Sequence, residues 1–105
     1  LIVRKKKEGY YHVGDMLRDE LIAAIDALGW EGEDKDRAAK VKSALQLAAP
    51  HRGGYLLDVH GWTRDNKKLL KSAIDSITWN NFLSRGFSFG KTPLGQQIQT
   101  LREKL

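Results

Sequence analysis

Apolar residues recur at three- and four-residue intervals in four separate windows of the chain, and glycines and prolines stand between the windows. That period aligns the apolar residues of each window along one face of an α-helix, so the framework is helical and strands are confined to what remains. In the first window Leu17, Leu21, Ala24, Ile25 and Leu28 share a face. Asp15 stands where a carboxylate caps a first turn, and Gly29 before Trp30 supplies a left-handed stop with an apolar cap contact. The second window, Lys35 to Ala49, turns Ala38, Val41, Ala44, Leu45 and Ala48 inward and ends at Pro50. So many alanines require a close neighbour. Thr63 caps the third window, which reaches about Leu83 with Leu69, Leu70, Ala73, Ile74 and Ile77 as its stripe. The fourth opens on Thr92 at the cap and Pro93 at the first helical position, and carries Leu94, Ile98, Leu101 and Leu105.

The remainder contains the strands. Leu1–Arg4 and Tyr10–Val13 read as a hairpin closed through Lys5–Gly9, and Tyr55–His60 alternates with Tyr55, Leu57 and Val59 on one face and Leu56, Asp58 and His60 on the other. The expected order is β-β-α-α-β-α-α. The fold class is α+β: a small single domain over residues 1–105, mainly helical, with an N-terminal β-hairpin and one further short strand. A length of 105 residues bounds the chain to one such unit, and the absence of cysteine excludes a disulfide scaffold and thiolate zinc sites. Beginning at Leu1, it reads as a piece of a longer chain or a processed form. The apolar start is too short for a secretory leader, and no run is long enough to span a membrane. Cytoplasm is the expected location.

Charge is polarised along the sequence. Residues 15–36 hold eight acids (Asp15, Asp19, Glu20, Asp26, Glu31, Glu33, Asp34, Asp36) against the two bases Arg18 and Lys35, inside a chain of net charge +5. An acidic segment set in a basic molecule points to nucleic acid on one side, or to opposite surfaces that pair. In the third helix, a rotation of about 100° per residue moves Trp79 and Phe82 off the apolar stripe, onto the face that carries Lys68, Lys71 and Asp75. Cations beside planar rings supply what a nucleic-acid surface needs, phosphate attraction and stacking. Arg52, Lys67, Lys68, Lys71, Arg85 and Lys91 come from neighbouring segments and form the expected basic patch. Lys5, Lys6 and Lys7 lie at the hairpin tip as an accessory arm.

Other chemistry is thinner. Tyr55-Leu56-Leu57-Asp58-Val59-His60-Gly61 resembles the first metal-binding motif of the calcineurin-like metallophosphoesterases, a strand ending in Asp-x-His-Gly. The resemblance implies Asp58 and His60 as metal ligands for water attack on phosphorus. It covers about ten residues; the family's downstream Gly-Asp, Gly-Asn-His and further histidines have no counterpart, since no His follows His60. Gly86-Phe87-Ser88-Phe89-Gly90-Lys91-Thr92 has three residues between its glycines where a nucleotide cradle needs four, and Pro93 removes an amide that would face phosphate. A hydrolase is not expected: there is no cysteine, and the Gly-x-Ser-x-Gly spacing of Gly86 to Gly90 follows a helical window where a nucleophile elbow follows a strand.

The expectation is therefore a non-enzymatic module that binds DNA or RNA mainly through phosphate, with no cofactor and no membrane association. Its rival is a protein-interaction module, homodimeric or with another partner. There the acidic segment 15–36 docks a basic surface, and Leu94, Ile98, Leu101 and Leu105 form a helical seam. A metal-dependent phosphoesterase fragment is the third class.

Overall fold

The computed structural model describes residues 9–105. The expected strand Leu1–Arg4 and the basic arm Lys5, Lys6 and Lys7 lie outside them. The described chain runs β1 (Tyr10–Gly14), α1 (Asp15–Ala27), α2 (Glu33–Gln46), β2 (Ala49–His51), β3 (Gly54–Asp58), α3 (Arg64–Arg85), a 3-10 turn (Gly86–Lys91) and α4 (Pro93–Arg102). It is a small α+β domain in which four helices accompany a three-stranded antiparallel sheet of order β1-β3-β2.

The sheet is where the expected order changes. β1 pairs with β3, from Tyr10 opposite Asp58 to Gly14 opposite Gly54. The hairpin within the described residues is β2–β3. Arg52 and Gly53 turn it with φ of 49° and 75°, the left-handed pair of a two-residue hairpin loop. Pro50, expected to end the second helix, belongs to β2; the helix stops at Gln46. A proline fits there because β2 is an edge strand, where the missing N–H breaks no second ladder.

Each helix buries the stripe its period defines. Leu17, Leu21 and Ile25 from α1, Val41 and Leu45 from α2, Leu70 and Ile74 from α3, and Ile98 and Leu101 from α4 meet Val13 and Leu57 of the sheet in one core. α3 is the central element and touches α1, α2 and α4. Its start is fixed by a reciprocal cap: Asn66 N–H donates to Thr63 Oγ1 at 3.3 Å, and Thr63 N–H donates to Asn66 Oδ1 at 2.9 Å. Trp30 Nε1 donates to the Ile25 carbonyl at 2.9 Å, which fastens the end of α1 after Gly29 turns the chain at φ 62°. Phe89, in the 3-10 turn, is buried, while Phe87 of the same turn points out. Among the described residues no helix is long and apolar enough to cross a membrane.

Candidate nucleic-acid interface

α3 has 22 residues, and burying one face leaves the opposite face open along its whole length of roughly 33 Å. Arg64, Lys68, Lys71, Asp75, Trp79 and Phe82 fall on that open side within about 80° of arc, and all six are exposed. At its amino-terminal end Arg64, Lys67, Lys68 and Lys71 line one open hollow of about 360 Å³, with Leu105 at its edge. None of these four cations has a carboxylate within ion-pair distance among the described residues.

The acids that could neutralise them are engaged elsewhere. Asp75, the one acid on the arc, pairs with Arg102 of α4. Asp65 lies 3.5 Å from Arg37 of α2, which also holds Asp34 at 2.9 Å and Glu33 at 3.1 Å. The hydrogen bond that Arg37 donates to Asp34 leads the causes that raise its guanidinium further above its ordinary value. In the acidic segment, Asp19 pairs with Arg18 at 3.1 Å and Asp26 with Lys42 at 2.8 Å. Four of the eight acids of residues 15–36 are thus held by Arg18, Arg37 and Lys42, and none of the eight pairs with the cations of α3.

That surplus opposes helix physics. The amino-terminal end of a helix favours acids over bases, and like charges spaced by three or four residues repel. Arg64, Lys67, Lys68 and Lys71 break both rules. Arg64, absent from the patch drawn from sequence, sits one turn before Lys68 and directly after the Thr63 cap; that spacing was the signal for it.

The carboxyl-terminal half of the same face is aromatic. Trp79 is 62% exposed, Phe82 38%, Leu83 66% and Phe87 89%. The Trp79 and Phe82 rings lie within 15° of parallel with centroids 6.5 Å apart, and Phe87 meets Phe82 edge-on at 5.3 Å. Both outward rings expected from the helical period are outward, and Phe87 joins them from the 3-10 turn.

The remaining candidate residues fall elsewhere. Arg52 lines a separate hollow with His12, Gln96, Gln97 and Thr100, beside α4. Arg85 and Lys91 are exposed beyond the aromatic end of α3. Ile98 and Leu101 are buried in the chain's own core, with Leu94 and Leu105 packed against it, so the stripe expected as a seam for a partner is used internally.

Asp58 and His60 are bound to each other: Asp58 Oδ1 accepts from His60 N–H at 2.9 Å and lies 2.7 Å from Nδ1. The backbone hydrogen bond from His60 leads the causes that hold the Asp58 carboxyl below its usual range. Among the described residues no group of three or more His, Asp or Glu is placed to hold a metal ion. The near-miss of a nucleotide loop is a 3-10 turn, and the α4 amide of Gly95 already donates to Thr92 Oγ1 at 3.0 Å.

Comparison with protein-family models, with curated proteins and with solved structures finds no match to this chain.

Proposed function

We propose that this domain binds nucleic acid, chiefly through phosphate, with the outer face of α3 as its platform and no catalytic step. A cytoplasmic site of action accords with this reading. The observation that carries it is the quartet Arg64, Lys67, Lys68 and Lys71, gathered around one hollow with no carboxylate in ion-pair distance among the described residues. Repelling cations at the unfavourable end of a helix weaken the free protein, and a polyanion removes that cost.

Charge also selects α3 over α2. Two helices joined by a short glycine turn are a common way to present the second helix to a DNA groove. Here the second helix opens with Glu33, Asp34 and Asp36 just after Glu31, and that end repels phosphate. The rival in which the acidic segment docks a basic partner loses support for a related reason, since Asp19, Asp26, Glu33 and Asp34 already have internal partners.

The test is fluorescence anisotropy of labelled oligonucleotides over a salt series. Four phosphate contacts give a log–log slope of roughly −3 to −4. Lys68→Glu combined with Lys71→Glu lowers affinity at least tenfold and flattens the slope by about 2. Unchanged binding by that double variant would remove α3 as the platform.

A further inference from the structure

The quartet explains attraction to phosphate, yet it does not explain the other end of the same face. Trp79, Leu83 and Phe87 are each more than half exposed, and Phe82 lies between the two outer rings. An apolar protein partner would cover the rings and leave the cations unanswered; an acidic one would do the reverse. A duplex offers phosphates and base edges, but its base faces are already stacked on each other, so outward rings gain little from it. An unpaired strand offers both things at once: a flexible polyanionic backbone and open base faces, each a match for an aromatic ring. From Arg64 to Phe82 the two chemistries span roughly 27 Å along one helix, with Lys71 and Trp79 about 12 Å apart. Asp75, which would repel a backbone crossing between them, is neutralised by Arg102.

We infer that the ligand is a single strand of nucleic acid, its backbone held by Arg64, Lys67, Lys68 and Lys71 and its bases stacked on Trp79, Phe82 and Phe87. This rests on the phosphate-binding reading above and adds the strandedness of the ligand and the role of the rings.

The experiment compares a labelled single strand of about 15 nucleotides with the duplex of the same sequence. It uses the full chain, the pair Trp79→Ala with Phe87→Ala, and the pair Lys68→Glu with Lys71→Glu. Wild type binds the single strand at least tenfold more tightly than the duplex. Removing the two rings, both largely outside the core, lowers single-strand affinity roughly tenfold or more and leaves duplex affinity and the salt slope unchanged. The ratio in wild type needs no variant, so it stands even where a substitution disturbs folding. Equal or tighter duplex binding overturns the inference. So does a concentration-dependent dimer, seen by sedimentation, that disappears when the rings are removed, because the patch would then be a self-association surface. If the lysine pair abolishes binding while the ring pair leaves the strand preference intact, the phosphate platform stands and only the stacking falls. If neither oligonucleotide binds wild type, the platform itself falls.

Discussion

The guanidinium of Arg18 sits at the junction of three elements. Its Nε donates to the Leu45 carbonyl at 2.8 Å, which also accepts from Ala48 N–H at 3.3 Å, and Nη2 donates to the Gln46 carbonyl at 3.1 Å, so the guanidinium caps the last carbonyls of α2. Its carbon centre lies 4.5 Å from the Tyr55 ring centroid, on the sheet, and Nη1 reaches Asp19. Along the sequence Arg18 is one of two bases in an acidic stretch and looks like surface charge. Its job is instead to tie α1 to α2 and β3, so a charge count along the chain misassigns it. Arg18→Met keeps the aliphatic stem and deletes the charged donors. We expect it to cost about 1.5–3 kcal/mol in urea unfolding, the range for hydrogen bonds made by charged groups. Arg18→Lys recovers little of that loss, because a single ammonium cannot reproduce the planar fork. A cost below about 0.5 kcal/mol for Arg18→Met would mean that water serves those carbonyls equally well.

At the scale of elements, the helices were readable because their signals are local. Thr92 and Pro93 start α4 where the sequence places them, Gly29 ends α1 with the expected positive φ, and Leu57 and Val59 are the buried side of the alternating strand. The strand pairing was not readable, because nothing local to Tyr10–Gly14 says that its neighbour lies forty or more residues on, at Gly54–Asp58. β2 was missed for a different reason: three residues containing a proline carry no alternation, and only the edge position makes them a strand. Phe89 illustrates the same limit. Within the 3-10 turn it is a buried residue beneath α4, which approaches closely enough that a Cβ at Gly95 would collide with the Phe89 carbonyl oxygen. That backbone cannot yield, since the same oxygen accepts from Thr92 N–H at 3.0 Å and Thr92 Oγ1 at 2.7 Å. Gly95→Ala is therefore expected to destabilise the domain by about 1–3 kcal/mol despite alanine's better helix propensity, measured by chemical unfolding. A stabilised variant would show that α4 can slide away from the turn without loss.

For the whole molecule the decisive quantity is where charge is left over after folding, and the sequence shows this only in part. The period of α3 turns Trp79, Phe82, Lys68 and Lys71 outward from local geometry alone. That Asp75 is neutralised by a residue twenty-seven positions later, and Asp65 by one twenty-eight earlier, depends on how α2 and α4 pack on α3. Folding thus gathers four unneutralised cations around one hollow in a chain of net charge +5. This gives stability and binding opposite responses to one substitution. Arg64→Glu places an acid at the first position of α3, where the helix dipole favours it, and sets it four residues before Lys68 in the better orientation for an ion pair. Free of ligand, the variant should be more stable than wild type by about 0.5–1 kcal/mol, seen as a higher Tm at low salt, with the gain shrinking as salt rises. The same variant should bind oligonucleotide several-fold more weakly, because a repulsive charge now stands where phosphate is drawn. An arginine retained only by chance on a solvated helix would give the first result without the second. A residue that opposes its helix and serves a polyanion gives both, and measuring the two on one protein preparation separates the cases.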